Sequence, residues 1–426
     1  MNFPCNAVRH RIALCLSLLM FALASAMPVC ATTTESVFNQ YKDRLLQIRI
    51  IDKATNSKSV IGSGFFIDKQ GTIATNYHVV SRFVFKPEDY RIEYQTQDNQ
   101  VHKAELLNID VIHDLALLSG DVADTPSLQL REQPLEKGVR IYTLGNPLDL
   151  GMTIVEGTYN GLTDDTMHER ILLAGALNPG MSGGPSITED GAIVGVNVAT
   201  AGNSIGFLVP EKFLHKLLLT SKKQKVQDYM RVIRQQLLDN QNVYIKALLN
   251  QPFPTKQLDH YRVPAKLASY ITCWGDSADD HGPYTTADDY CAIKNNIFIN
   301  QRIATGVIRY TQHLIKSEEM NSIRFYNLMQ QYFANPDTSL SGSQDDFTEF
   351  QCKTDFVQKD KLRLKTAFCL RRYKDFDGLY DMVLHSASVT EKHRGLISTL
   401  VLSGVSYENA VAFGKAYLET LAWNPR

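Results

Sequence analysis

No excess of either charge marks this chain. Its 426 residues carry 44 basic and 45 acidic side chains, a formal net charge of −1, so there is no electrostatic case for nucleic acid or an anionic membrane as partner. It also lacks CxxC pairs and paired histidines, so its seven cysteines have no zinc-site pattern around them. Internal repeats and low-complexity tracts are absent, which argues against a solenoid or a disordered chain. The apolar run from Ile12 to Leu23 is 12 residues, short of the roughly 20 that a bilayer crossing needs.

That short run has an informative context. Arg9, His10 and Arg11 precede it, and the small residues Ala24, Ser25, Ala26 and later Ala31 come after it. Basic start, apolar middle and small-residue end are the three parts of a secretory signal peptide, here residues 1–31, with cleavage expected after Ala26 or Ala31. An uncleaved anchor is the rival reading, and the shortness of the run argues against it. The expectation is an exported protein, periplasmic or secreted, with no stable membrane insertion.

The remaining cysteines agree with an oxidising compartment. Cys5, Cys15 and Cys30 lie in the leader, which leaves Cys273, Cys291, Cys352 and Cys369. Four cysteines allow three connectivities. Strand-like runs at 350–358 and 363–373 flank Asp360-Lys361, so a tight turn there would set Cys352 opposite Cys369. Cys273 and Cys291 likewise flank a polar loop. Each bridge would close a loop of about 17 residues, an effect on the order of 3 kcal/mol in the chain-entropy view.

From Glu35 to about Pro210 the chain reads as short strands such as LLQIRIID, GSGFFID and AIVGVNVA, separated by turn residues. That spacing predicts an all-β sandwich or barrel. At Glu211 apolar residues take helical spacing, and no glycine or proline interrupts 211–250. The Lys222-Lys223-Gln224-Lys225 run fits a solvated helix face or break. The expected plan is a leader at 1–31, a β domain at 32–212, a helical linker at 213–250 and a C-terminal α+β domain at 251–426. Within the last, helix is expected near 299–333, with amphipathic runs near 388–402 and 406–422. The acidic loop Asp276 to Asp289 lacks the alternation and terminal Glu of a calcium loop; no metal or cofactor is expected.

Three segments carry chemistry. In Asn178-Pro179-Gly180-Met181-Ser182-Gly183-Gly184-Pro185, glycines around a serine permit a tight turn. The turn can aim the N–H groups of Gly180 and Ser182 at one point, as an oxyanion hole requires. In Thr75-Asn76-Tyr77-His78, a histidine stands at a strand end. In His113-Asp114-Leu115, an acid opens an apolar strand, positioned to fix an imidazole tautomer. His113 is a rival base, but a triad through it and the adjacent Asp114 is sterically awkward.

Together, GSGFFIDKQGTIATNYHVV, HDLALL, LGNPLDLGMTIVEGTYNG, NPGMSGGP and IGFLVP resemble, in order, the HtrA-type branch of the chymotrypsin-like serine proteases. The likeness covers about 40% of the chain. It implies two six-stranded barrels with a triad between them: His78 as base, Asp114 as its orienting acid and Ser182 as nucleophile, spaced by 36 and 68 residues. By the same resemblance Ala176 marks the floor of the substrate pocket and Val196, Asn197 and Val198 one wall. With no carboxylate there, a small or medium apolar side chain is the expected preference. Two departures stand out: Met181 precedes the serine where the family carries Asn or Asp, and no PDZ-like module is recognised after the protease segment. The expected function is a serine endopeptidase acting on exported or unfolded proteins, with a protein or peptide as its partner. The alternative is an inactive or latent protease scaffold whose C-terminal domain binds a protein. Oligomeric state is not legible.

Overall fold

The computed structural model describes residues 33–425 apart from 165, 201, 203, 222–225, 279–281 and 337–338. The expected signal peptide and the Lys222 to Lys225 run therefore lie outside the described residues. Helix α1 (Thr34–Tyr41) opens the fold, with the Thr33 hydroxyl accepting the Ser36 N–H at 3.2 Å. That bond satisfies one of the donors a helix start leaves over.

Period-two alternation then builds strands. β1 (Leu45–Asp52), β2 (Ser57–Phe66), β3 (Thr72–Thr75), β4 (Tyr90–Gln95), β5 (Val101–Asp110) and β6 (Leu115–Gly120) close an antiparallel barrel in the order β1-β2-β3-β6-β5-β4. In β4, Ile92 and Tyr94 point inward while Arg91, Glu93 and Gln95 reach toward solvent. Helix α2 (Tyr77–Phe85) plugs the connection from β3 to β4. After a two-residue strand, β7 (Gln129–Leu130), comes a second barrel: β8 (Arg140–Gly145), β9 (Thr153–Leu162), β10 (Ile171–Ala174), β11 (Pro185–Ile187), β12 (Ala192–Thr200) and β13 (Ile205–Pro210). They run β11-β8-β9-β10-β13-β12, and the β11–β12 pairing closes the ring. Two six-stranded barrels thus stand side by side. Phe65, Ala74, Leu115 and Leu117 of the first meet Tyr142, Leu144, Val196 and Val209 of the second in one apolar cluster, with Val37 and Tyr41 of α1.

Helices α3 (Glu211–Ser221) and α4 (Tyr229–Leu249) lead away. Asp228 caps α4 by accepting the Arg231 N–H at 2.9 Å. A small antiparallel pair comes next, β14 (Thr255–Leu258) with β15 (Tyr261–Pro264). The remaining fold is organised by β16 (Ile271–Ala278), β17 (Thr285–Ile293), β18 (Ile297–Phe298), β19 (Ala304–Thr305), β20 (Ile308–Lys316), α5 (Ser322–Ala334), β21 (Gln351–Lys359), β22 (Leu362–Arg372), β23 (Tyr380–Ser388), β24 (Arg394–Val405) and α6 (Tyr407–Thr420). β25 (Ala422–Trp423) then returns to pair with β15. Seven of these strands form one antiparallel sheet, β16-β17-β20-β24-β23-β22-β21. Helices α4 and α6 pack on one face through Tyr244, Ile245, Phe413 and Tyr417, and α5 packs on the other through Phe325 and Met329. This is an α+β arrangement.

Disulfides join Cys273 to Cys291 and Cys352 to Cys369, at directly opposed positions of the β16–β17 and β21–β22 ladders. Asp360 takes a φ of 49° in the two-residue turn between β21 and β22. Two expectations are corrected. Helix occupies only Ser322–Ala334 of the 299–333 stretch, because Ile308, Tyr310 and Leu314 alternate and bury one face of β20. The run near 388–402 belongs mostly to β24, whose burial on both faces produces its near-continuous apolar text.

The parts are not independent. The interior of the first barrel, with Ile48, Ile92, Tyr94 and Leu118, is continuous with Ile233 and Leu237 of α4 and with Ile297, Ile299, Phe347, Tyr373 and Phe376 from the C-terminal region. Phe376 is fully buried and meets Phe85 of α2 edge-on at 6.5 Å. Phe376→Ala is expected to cost about 3–5 kcal/mol and to destabilise barrel and sheet together. Urea unfolding followed by two probes, one in each part, tests this: a barrel transition that stays in place while the sheet transition shifts would refute a shared core.

Candidate active site

β3 ends at Thr75, and Asn76 takes the extended conformation that starts α2, so His78 sits in the first turn of that helix. Backbone N–H groups there have no intrahelical acceptor. The acceptor arrives from the start of β6: Asp114 Oδ1 takes the His78 N–H at 2.8 Å, and Oδ2 lies 2.6 Å from His78 Nδ1. One carboxylate thereby satisfies an orphan helix donor, sits at the favourable end of the helix dipole and holds the imidazole with its proton on Nδ1. Nε2 is left as the basic nitrogen. Asp114 adopts a φ of 62°, and its carbonyl accepts Asn76 Nδ2 at 2.7 Å. Burial pushes the His78 pKa down, but the charge and hydrogen bond of Asp114 outweigh it and hold the imidazole above its ordinary value.

His113 turns elsewhere. Its Nδ1 lies 2.7 Å from Asp110 Oδ2, and its ring stacks on Phe213 of α3 at 3.7 Å. The rival base is occupied in structure.

The serine loop is fastened to the first barrel by Ser63 of β2. Its N–H donates to Ser182 O at 2.8 Å, its hydroxyl donates to Gly180 O at 2.7 Å, and the same hydroxyl accepts the Asn146 N–H at 2.8 Å. Gly180 has a φ of 96°, and a Cβ there would stand 2.4 Å from Asn146 O. Gly183 has a φ of 86°, and a Cβ there would stand 2.3 Å from Ser63 O and 2.9 Å from Asn76 N. Both positions exclude any side chain. The close approach at Gly183 sets the loop against the end of β3, two residues before His78. Among the described residues, the N–H groups of Gly180 and Ser182 donate to no backbone carbonyl, so both remain available to a ligand oxygen. Met181 is buried in the core of the second barrel with Ile141, Leu173 and Leu177, which accounts for an apolar residue before the serine.

The structure therefore brings His78 and Asp114 into contact and pins the Ser182 loop beside them. The expected substrate wall needs correction. Ala176 is exposed and Val198 lines a cavity next to His78, but Val196 is fully buried between the barrels. Asn197 is a strut: its Nδ2 donates to Leu144 O at 3.0 Å and Met181 O at 3.2 Å, and its Oδ1 accepts Ser186 Oγ at 2.8 Å. Burial in the barrel keeps both side chains out of the cleft surface. Ser63 and Asn76 are positioning residues that reading the sequence did not single out, and Asn197, expected in the pocket wall, is a third. A small hydroxyl residue between two glycines, Gly62-Ser63-Gly64, was the available signal for the first.

Replacing Asp114 by Asn removes the negative charge while keeping the shape. The His78 titration midpoint, followed by NMR of labelled histidine, is expected above 6.5 in the wild type and to fall in Asp114→Asn. An unchanged midpoint would show that the carboxylate does not govern the imidazole.

Comparison with known proteins bears on residues well beyond this pair. Residues 62–196 match the trypsin-like peptidase domain family. Protease Do-like 1, chloroplastic, of Arabidopsis thaliana is 29% identical over 252 residues, 49% of this chain and 55% of its own. The Chlamydia pneumoniae protein named "Probable periplasmic serine endoprotease DegP-like" is 29% identical over 178 residues, 39% of this chain and 35% of its own. The chain thus spans about half or less of the length of these relatives. Among solved structures, the serine endoprotease from Yersinia pestis matches 45% of this chain and 68% of its own at 22% identity, with a TM-score of 0.40. The closed barrel pair and the match over residues 62–196 make this part of the chain similar to trypsin-like peptidase domains.

Proposed function

We propose that the chain is a serine endopeptidase that hydrolyses peptide bonds of exported or unfolded proteins. The observation that carries this reading is the doubly anchored imidazole. Asp114 grips both the backbone N–H and Nδ1 of His78, so Nε2 is the basic nitrogen and its direction is set by the helix rather than by a rotatable side chain. In the reaction His78 Nε2 takes the proton of Ser182 as its oxygen attacks the scissile carbonyl carbon. The tetrahedral oxyanion receives the N–H groups of Gly180 and Ser182. Collapse breaks the C–N bond, and His78 gives its proton to the leaving amine. Water, deprotonated by the same imidazole, then releases the acyl group from Ser182. Every group required is a side chain or backbone amide of this chain.

The substrate reading is coarser. The exposed Ala176, and Val198 in the lining of the cavity beside His78, favour a small or medium apolar side chain at the cleaved residue. Residues 1–31 act as the export signal, and the two disulfides suit an oxidising compartment, in keeping with the name of the periplasmic relative. The domain plan is a protease domain at 32–212, a helical linker at 213–250 and a C-terminal α+β domain at 251–426.

A fluorophosphonate probe is expected to label the mature wild type and not Ser182→Ala, whose turnover drops by a factor on the order of 10⁶; a folded wild type that resists the probe would falsify the reading. The base must be neutral, and His78 is held above 6.5, so kcat/KM is lost as pH falls through a value above 6.5 and is regained on the alkaline side. An acid limb governed by a group below 6 would point to another base.

A further inference from the structure

A cavity of ≈ 370 Å³ opens directly beside His78 and Asp114, and only part of its wall belongs to the barrels. Val198 and Phe207 come from β12 and β13, whereas Ile297 and Phe298 come from the β18–β19 hairpin of the C-terminal region. That hairpin is fastened to the helix that carries the imidazole. Tyr77, fully buried, donates its hydroxyl to Ile299 O at 2.7 Å, and Arg82 Nη2 donates to Gln301 Oε1 at 2.8 Å. The Phe298 ring stands edge-on to Tyr77 at 6.3 Å and to His78 at 6.1 Å. Ile297 and Ile299 are buried in the same core as Val79, Val80 and Val84 of α2. The separation of Phe298 from the imidazole is therefore set by core packing.

A peptide whose carbonyl reaches Ser182 must pass His78, and a side chain flanking the scissile bond then falls against this wall. Val198, Phe207, Ile297 and Phe298 offer it apolar surface, while Arg170 and Lys294 place positive charge in the same lining. We propose that Ile297 and Phe298 complete a substrate subsite next to His78, so that the C-terminal region selects an apolar side chain flanking the cleaved bond and rejects a basic one. This rests on the peptidase reading of His78 and Ser182. It assigns to the C-terminal region a direct part in specificity.

The test uses the full-length chain, because the barrel and the hairpin share a core. Peptides carrying Leu, Gly or Lys at each position flanking the cleaved bond are compared by kcat/KM. At one flanking position the wild type is expected to prefer Leu over Gly by roughly 10–100-fold and to disfavour Lys further. Phe298→Ala should collapse the Leu/Gly ratio to within about threefold, and Lys294→Glu should raise relative cleavage of the Lys peptide. Phe298→Leu, which keeps an apolar wall, should retain most of the preference and guards against loss of fold, checked by thermal melting. In parallel, the same peptides are titrated by fluorescence anisotropy into full-length Ser182→Ala, with and without Phe298→Ala. Cleavage with a Leu/Gly ratio indifferent to Phe298→Ala overturns the subsite and leaves the peptidase reading standing. If the wild type neither cleaves nor reacts with a fluorophosphonate, the peptidase reading fails and the binding series decides the subsite alone. Equal binding of Leu and Gly peptides there would overturn it; Leu-selective binding lost in Phe298→Ala would support it.

Discussion

The carboxylate of Asp114 holds two donors of one residue at once, and the geometry of the cleft depends on its doing so. A non-glycine residue at a φ of 62° sits in a region that costs an ordinary L-residue roughly 1–2 kcal/mol. Bonds to charged groups contribute about 1.5–3 kcal/mol each, so the grip on His78 can offset that conformation. The Asn76 bond to the Asp114 carbonyl closes the ring of contacts from the other side. Imidazole, carboxylate and helix start are consequently held as one unit. Ser63 and Asn197 do the matching work for the serine loop, tying it to the first barrel and the second respectively. Preorganisation of this kind is where enzymes of any chemistry place most of their electrostatic advantage.

The second organising fact is the seam between the two barrels and the C-terminal region. Ile233 and Leu237 of α4 and Phe347 and Phe376 of the C-terminal loops extend the apolar core of the first barrel. Tyr77, the immediate neighbour of the imidazole, hands its hydroxyl to a C-terminal carbonyl. The C-terminal region is thus part of the support that keeps α2 in position, not a module hung from a flexible tether. Its sheet has its own logic, with apolar helices on both faces, and it reaches the cleft through the β18–β19 hairpin and the residues 294–296 that lead into it.

Much of the fold was legible in the text because its signals are local. The strand alternation up to Pro210, the glycines of the serine loop and the change to helical spacing at Glu211 are all decided within a few residues. The turn at Asp360-Lys361 and the opposed cysteines around it are of the same kind. The illegible features depend on contacts distant in sequence. Nothing near Asn197 says that its amide braces a loop 16 residues away, and nothing near Val196 says that the barrel wall buries it. The strand at β24 was obscured for a related reason. Buried on both faces, it loses the clean alternation that marks a half-exposed strand. The hairpin at Ile297 and Phe298 carries no motif at all, and only the folded chain brings it 222 residues back to Tyr77.

The two cystine links occupy the outermost hairpins of the seven-stranded sheet, β16–β17 at one margin and β21–β22 at the other. Margins are where a sheet frays and where an unpaired backbone invites a foreign strand. β21 is solvent-exposed along most of its length, so backbone bonds to β22 and this covalent clasp are what keep it from peeling. With the thiols reduced, β16–β17 keeps the buried Ile271 and Ile293, whereas the exposed β21 relies chiefly on its hydrogen bonds to β22. The β21 margin is thus where an unclasped strand would be most open to pairing with another chain.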